Sequence, residues 1–346
     1  MRERERELLG LDDLNFPTYK APQNLTVITT YFNACGYKTR RRNYDLFVKL
    51  MRDSGVPCIT VECAFGDNPF ELEDSLDVIQ VRSDCVLWQK ERLLNLAASW
   101  LPASCRYVAW LDCDLVFQNP NWAVDAERLL ERFNIVQLFE SCARLNEGNC
   151  IWDNPSRVPS FASIVPNDRN VLNAGNFDKH GHTGYAWAMR REIFDQVGLY
   201  EHAICGTGDH FMAHAVYGNY GFCINQAFKG NQSQIRHLKD WGSDFESLVR
   251  GNLAAVPGEV LHLWHGDTAN RKYLLRMYDL VRLGFDSWRD IVAPPGQPLL
   301  WHPDMDKPDL RDYFMRYFES RREDGEPNLD NPQQRRSSHA RQTALC

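Results

Sequence analysis

The chain has 346 residues, 44% hydrophobic, 12% aromatic and 25% charged, a globular composition that excludes collagenous, low-complexity and wholly disordered classes. Thirty-nine Lys and Arg against 46 Asp and Glu give a formal net charge of -7, which excludes a nucleic-acid binder relying on a broad basic field.

Residues 1–24 are charged, then broken by Pro17 and Pro22, and read as a peripheral arm. LTVITTY (residues 25–31) is short and rich in β-branched side chains, the pattern of a buried strand. A helix is predicted from Asn43, with Leu46, Phe47, Leu50 and Met51 on one face and Gly55 to stop it. CITVEC (58–63) and DVIQV (77–81) read as strands, and apolar residues recur at helical spacing from Val86 until Pro102 ends that segment. RYVAWLDCD (106–114) is a further strand, closing on acidic residues. This succession is that of an α/β sheet with parallel strands.

A helix over 124–133 and a strand NIVQLF (134–139) lead into a loop-rich stretch to His182 containing Pro155, Pro159 and Pro166. Loops of this length inside a compact domain are usually functional. TGYAWAMR (183–190) reads as a strand, EIFDQVG as a short helix ended by Gly198, and GDHFMAHAVYG (208–218) as a helix opened by Asp209. GFCINQAF and EVLHLWH (259–265) are predicted strands. Residues 269–283 are a predicted helix with Tyr273, Leu274, Met277, Leu280 and Val281 on one stripe. From Glu319 apolar residues become scarce, and a disordered tail is expected over 319–346.

The eleven cysteines include no CxxC pair, and Cys58, Cys63, Cys113 and Cys223 lie in apolar runs, where a thiol behaves as a small hydrophobe. Reduced core thiols, the MRERERE start without a signal-peptide apolar stretch, and the lack of any apolar run of about 18 residues predict a cytoplasmic protein without membrane anchoring.

The sharpest chemical feature is Asp112-Cys113-Asp114 at a strand end. On an extended chain, carboxylates at i and i+2 point to one side, and at the carboxyl end of an α/β strand they face the ligand crevice. Their hard oxygens suit Mn²⁺ or Mg²⁺, which in turn hold a diphosphate. A solvated pair at a strand end satisfies the same short pattern, so the surroundings decide. Thr30, Tyr31 and Asn33 end the first strand and Glu62 the second, putting an aromatic and an acid at the same crevice edge. They suit stacking on a base and accepting a hydrogen bond from its imide. Gln89-Lys90-Glu91-Arg92 opens a helix beside the crevice, where Lys90 and Arg92 offer cations to a phosphate or stand as surface charges. His265 follows a strand and offers a neutral imidazole to a metal.

Cys205-Gly206-Thr207-Gly208-Asp209 puts a carboxylate at a helix N-terminus after a Gly-rich loop, suited to general-base work or to capping the helix. Trp152 and Trp187 are of a type that stacks on sugars, although Trp187 lies in an apolar strand and reads first as core. His180 and His182 make a poor metal pair without a third ligand. The same holds for His210 and His214, one helical turn apart and able to face one ion.

Taken together, TTYFN, WQKERLLN, YVAWLDCDLVF, GYAWAMRREIFDQVGLYE, GTGDHFM and HLWHG resemble glycosyltransferases of the GT-A fold, in the style of the family-2-like nucleotide-sugar-dependent group, over roughly residues 25–283. The resemblance implies a single Rossmann-like α/β domain over 25–318, with a mixed, mostly parallel sheet flanked by helices. Within it are implied a nucleotide-binding half (25–118), an acceptor half (119–284) and a helical C-terminal extension (285–318). It implies Asp112, Asp114 and His265 as metal ligands for Mn²⁺ or Mg²⁺, and Asp209 as catalytic base. Thr30, Tyr31, Asn33, Glu62, Lys90, Arg92 and Asp112 are the implied contacts to a nucleotide-diphosphate sugar, a UDP-sugar being favoured. The stretches 173–177 and 180–184 are the expected walls of the sugar and acceptor pockets. Gly208 departs from the pattern, since many members carry an acid before the Asp. The implied partners are the nucleotide sugar and a carbohydrate or other hydroxyl-bearing acceptor, and the implied reaction is a single inverting displacement. A metal-dependent nucleotidyltransferase or phosphate-ester hydrolase, or an inactive carbohydrate-binding relative, are the rival readings. The loop 33–38 has one glycine where a nucleotidyltransferase carries a Gly-rich basic loop.

Overall fold

The computed structural model describes residues 17–148, 155–174 and 178–325. Eight consecutive buried residues form β1 (Leu25–Phe32). Helix α1 (Lys38–Asp53) starts earlier than the Asn43 expected, because the Asp324 carboxylate accepts the Lys38 and Thr39 N–H groups at 3.1 and 2.8 Å and caps it from a distant segment. β2 (Cys58–Phe65) and β3 (Val78–Ser83) lie parallel beside β1. Helix α2 (Lys90–Ala98) leads to β4 (Tyr107–Leu111), which pairs parallel with the other edge of β1.

β5 (Leu115–Phe117), α3 (Trp122–Leu130), β6 (Ile135–Gln137), β7 (Ser141–Arg144), β8 (Arg157–Pro159) and α4 (Phe161–Ile164) follow. Next come β9 (Ala186–Arg190), α5 (Arg191–Val197), α6 (Gly208–Ala215), α7 (Phe222–Ala227), α8 (Gln232–Val249), β10 (Leu253–Ala255) and β11 (Glu259–His262). The chain continues through α9 (Leu275–Arg282), the hairpin β12 (Ile291–Val292) and β13 (Leu300–Trp301), and α10 (Pro308–Ser320).

The seven-stranded sheet has the order β10-β6-β9-β4-β1-β2-β3, and only β9 runs against its neighbours. The expected mixed, mostly parallel α/β sheet flanked by helices is therefore what the chain forms. Alternate residues of β1 divide between two cores: Val27 packs with Phe47 of α1 and Trp122 of α3, and Ile28 with Leu93 of α2 and Phe245 of α8. A second sheet, β5-β11-β7-β8, adjoins the first, so residues 112–114 are the step from one sheet to the other.

Several expectations are corrected. Residues 222–227 form a helix rather than a strand. A short apolar run does not distinguish the two by itself, and here Cys223, Ile224 and Ala227 fall on one buried helical face. Helix α8 was not anticipated, although Asn231 caps it through Ser233 N–H and Gln234 N–H, and Ile235, Leu238, Gly242, Phe245 and Val249 repeat at helical spacing. The helix expected over 269–283 is split: a 3-10 turn at Thr268–Arg271 ends at Lys272 (φ 48), and Tyr273 and Leu274 are exposed instead of striped against the core.

Residues 17–24 are not a peripheral arm, since Tyr19 is buried edge-on against Phe117 and Trp122 and accepts the Phe117 N–H at 3.2 Å. Nor does the ordered chain stop before 319. Arg321 and Glu323 are buried, and Glu323 pairs with Arg321 and, at 3.1 Å, with Arg40. Residues 326–346 of the expected tail lie outside the described residues, as do Trp152 and residues 175–177.

Candidate functional site

Asp112 and Asp114 stand at the carboxyl end of β4, as expected, but the residues between the sheets form a turn rather than extended chain. The carboxylates therefore diverge. Asp112 Oδ1 takes the Lys90 ammonium at 2.6 Å, and the same ammonium reaches Asp209 Oδ2 at 2.8 Å. Lys90 opens α2 and is almost wholly buried; burial alone would lower its pKa, but Asp112 and Asp209 hold it well above the usual lysine range. Asp112 is pushed up by burial and by the charges of Asp209 and Asp114, with Lys90 opposing.

Asp114 faces the second sheet. The register of β5 with β11 sets His262 opposite Leu115, and Leu263 N–H bonds the Asp114 carbonyl at 2.8 Å, which carries His262 and His265 to the carboxylate. Asp114 Oδ2 lies 2.9 Å from His265 Nε2 and 3.7 Å from His262 Nε2, and the two imidazole nitrogens are 3.3 Å apart. Burial raises the Asp114 carboxyl, but His262, His265 and Arg271 more than offset it and hold it well below the ordinary range. Burial keeps His262 neutral, with its pKa well below the usual value.

One carboxylate oxygen and two imidazole nitrogens, mutually within 4.8 Å, make a donor set that fits a divalent cation. Asp114 Oδ1, buried without a hydrogen-bond partner, adds a lone pair in need of one. Glu323 Oε2 stands 3.4 Å from His265 Nδ1, the carboxylate that orients a ligating imidazole from behind. Arg271 Nη2 donates to His265 Nε2 at 2.7 Å, so a cation held there would have to displace this guanidinium from the imidazole lone pair.

Asp209 is in the first turn of α6 and does not cap it, because the preceding Thr207 holds the N-cap place with φ 81 and no side-chain bond. A second non-glycine residue with positive φ, Tyr185 (φ 82), accepts the Asp112 N–H through its carbonyl at 2.9 Å. Backbone strain thus adjoins both carboxylates that Lys90 joins, a concentration typical of functional sites. His182 stacks on Tyr185 (4.0 Å between ring centres), and Tyr185 on His262 (4.7 Å), an aromatic column linking the 180–184 loop to the Asp114 cluster. Gly184 closes the loop against Asp209: a Cβ there would lie 3.5 Å from Asp209 Oδ2 and 3.1 Å from His182 Cε1.

The departure at Gly208 also has a structural reason. A Cβ at 208 would lie 2.0 Å from Glu91 Oε1, so the Glu91 carboxylate fills the space that a side chain there would need. Burial pushes Glu91 up to about 8, with Lys90 opposing and Asp209 adding. A carboxyl raised in the folded state contributes stability below its unfolded pKa and loses it as the pH rises through about 8. Glu91→Gln is therefore expected to gain thermal stability relative to the parent protein as the pH goes from about 6 to about 9, read by calorimetric melts. A melting-temperature difference that does not change with pH would show that Glu91 is not buried as its carboxylic acid.

At the carboxyl ends of β1 and β2 a cavity of about 370 Å³ is lined by Tyr31, Asn33, Glu62, Phe65, Met315 and Glu319, among others. Tyr31 and Asn33 both bond Glu71, Asn33 Nδ2 at 2.9 Å. Glu62 accepts Glu71 N–H at 2.6 Å and Gln80 Nε2 at 3.0 Å, bracing the cavity rim. The structure thus brings Tyr31, Asn33 and Glu62 to one cavity, and Lys90, Asp112, Asp114, Asp209 and His265 to the adjoining crevice edge. Thr30 is buried in β1 and is not part of the cavity wall. Arg92 is elsewhere: it pairs with Glu201 at 3.0 Å and holds the Gln297 carbonyl at 2.7 Å, tying down the C-terminal extension. Trp187 is core, fully buried with its Nε1 donating to Thr183 O.

His262, Arg271, Glu91 and Glu323 were not identified from the sequence. The i, i+3 spacing of His262 and His265 was the available signal.

No protein-family model and no curated protein matches the chain. Among solved structures it is similar to a mutant of Drosophila beta-1,4-galactosyltransferase 7 in complex with manganese, UDP-Gal and xylobiose, at 11% identity and TM-score 0.31. That match covers 68% of this chain and 65%, just under two thirds, of the other. Glucosyl-3-phosphoglycerate synthase from Mycobacterium tuberculosis, in complex with Mg²⁺ and UDP, is 13% identical, with 81% of this chain and 88% of that one covered and a TM-score of 0.37. Mannosyl-3-phosphoglycerate synthase from Rubrobacter xylanophilus is 11% identical, with 90% and 91% covered and a TM-score of 0.36. The functional reading of this chain rests on its own residues.

Proposed function

We propose that this protein is a divalent-cation-dependent glycosyltransferase that moves a sugar from a nucleoside-diphosphate sugar, preferably a UDP-sugar, to an acceptor hydroxyl with inversion at the anomeric carbon. One observation carries the reading. Lys90 joins Asp112 to Asp209, while Asp114 turns away to His262 and His265, all beside a cavity of about 370 Å³ at the ends of the parallel strands. This divides the labour that such a transfer needs between two sets of carboxylates.

Asp114, His262 and His265 would hold the cation; the donor set favours Mn²⁺ over Mg²⁺, because imidazole nitrogen suits the softer ion. When bound, the cation supplies Lewis-acid stabilisation of the departing diphosphate oxygens. Tyr31, Asn33 and Glu62 line the space for the base, and Lys90 presents an ammonium to the phosphates. Asp209 has 19% of its side chain open and stands across Lys90 from Asp112, placed to take the proton of an acceptor hydroxyl. An acceptor oxygen freed of its proton there would attack the anomeric carbon as the diphosphate leaves, a single displacement that would invert the anomeric centre. The reading carries with it the cytoplasmic setting expected from the reduced cysteines.

Isothermal titration with a panel of nucleotide sugars, with and without Mn²⁺, tests it, followed by mass spectrometry of slow donor hydrolysis. Nucleoside-diphosphate binding that requires Mn²⁺, with release of free sugar, is the expected result. No binding of any donor would defeat the proposal, and release of pyrophosphate from a nucleoside triphosphate would favour a nucleotidyltransferase instead.

A further inference from the structure

Three histidines outside the site just described converge with a cysteine. His210 and His214 lie one turn apart on α6, His180 comes from the turn before β9, and Cys223 from α7. Their ligand atoms all lie within 4.8 Å of one another, and all four residues are buried. The sequence offered His210 and His214 as a pair lacking a third ligand, and the fold supplies a third and a fourth. The ring centres of His180, His210 and His214 are 4.5 to 5.4 Å apart.

Two of the rings have their protonation fixed from behind. His180 Nδ1 lies 2.9 Å from the Gly181 carbonyl, which accepts only from an N–H, so in the neutral ring the lone pair is on Nε2. His214 Nδ1 likewise faces Asn219 Oδ1 at 3.3 Å; that amide is oriented by donating to Asn173 Oδ1 at 3.0 Å. The Nε2 atoms of His180 and His214 are buried without a hydrogen-bond partner. This is the arrangement in which outer hydrogen bonds aim ligating nitrogens at a metal. Burial depresses the pKa of His180, His210 and His214, so the rings are in the neutral form that binds metal. Phe161 packs against His180 and His214 and closes the cluster with an apolar wall.

We infer that His180, His210, His214 and Cys223 form a tetrahedral zinc site, separate from the Asp114 centre and structural in role. Three imidazoles and a thiolate suit Zn²⁺ by ligand type and number, and four protein ligands leave no open position for a substrate. Binding releases the Cys223 proton to solvent. The ion would tie the turn that leads into the His182 and Gly184 loop to α6, whose first turn carries Asp209 next to His210, and to α7. The inference does not depend on the transferase reading.

Full-length protein from zinc-supplemented cells, dialysed against a weak chelator, is expected to retain about one zinc per chain by mass spectrometry. X-ray absorption at the zinc edge is expected to show one sulfur at about 2.3 Å with nitrogens at about 2.0 Å, a readout that needs no variant. Cys223→Ser is expected to weaken zinc retention by about tenfold or more and to remove the thiolate charge-transfer band of the Co²⁺-substituted protein. Asp114→Ala is expected to leave both unchanged. A coordination shell without sulfur, zinc lost with Asp114→Ala but kept with Cys223→Ser, or no zinc retained by folded protein after incubation with excess ZnCl₂ would each overturn the inference.

Discussion

Asp209→Asn is expected to lower the transfer rate by about 10²- to 10⁴-fold, the range for removing a general base, while donor affinity changes by no more than a few-fold. The amide keeps the size of the carboxylate and its place in the first turn of α6, but cannot accept the acceptor's proton. Lys90 keeps Asp112 as its ion-pair partner at 2.6 Å, so the crevice retains its shape. Stopped assays with the best donor give the rate, and titration of the nucleoside diphosphate with Mn²⁺ gives the affinity. Binding lost together with transfer would make Asp209 a structural partner of Lys90 and no base. The stereochemistry is an independent check: proton NMR of the first product is expected to show the anomeric configuration opposite to the donor's, and retention would remove the base role altogether.

Asp114→Ala is expected to abolish Mn²⁺-dependent binding of nucleoside diphosphates, with at least about a 100-fold loss of affinity, in keeping with the several kcal/mol that a cation contributes at a diphosphate. It removes a carboxylate that both His262 and His265 approach and leaves the two imidazoles facing each other across 3.3 Å with Arg271 beside them. Titration with Mn²⁺ alone, then with UDP, separates loss of the cation from loss of the nucleotide. Unchanged, Mn²⁺-dependent UDP binding in this variant would place the cation elsewhere and undo the assignment of Asp114, His262 and His265 together. Circular dichroism accompanies the titration, because breaking a buried charge set also carries a stability cost.

The acidic motif could be read from the sequence because it ends an unmistakable apolar strand, and Asp209 because a Gly-rich loop precedes an amphipathic helix. Tyr31, Asn33 and Glu62 followed from the same logic of strand ends. The divergence of Asp112 and Asp114 could not be read, since it depends on the chain turning between two sheets just where strand alternation had been assumed. His262 looked like one residue of a strand, and its place beside Asp114 comes from the β5–β11 register. Glu323 was hidden by composition. A run of charges resembles a solvated tail until Arg40 and Arg321 are seen to neutralise it in the interior, where burial alone would push the carboxyl up and the two guanidiniums hold it well below its usual range. Arg92 failed for the opposite reason: helix position told of its neighbourhood but not of Glu201 across the turn.

The clasp made by Glu323 and Asp324 sets an order of assembly during synthesis. The ribosome delivers Asp112 and Asp114 early, His265 much later and the residues that brace it almost last among those described. A nascent chain can already pair β1 with β2 and β4 while α1 still lacks the Asp324 carboxylate at its first turn and His265 lacks the acid behind it. The α1 first turn and His265 therefore gain these acidic partners only once that segment has been made, so this corner of the crevice is completed late in synthesis.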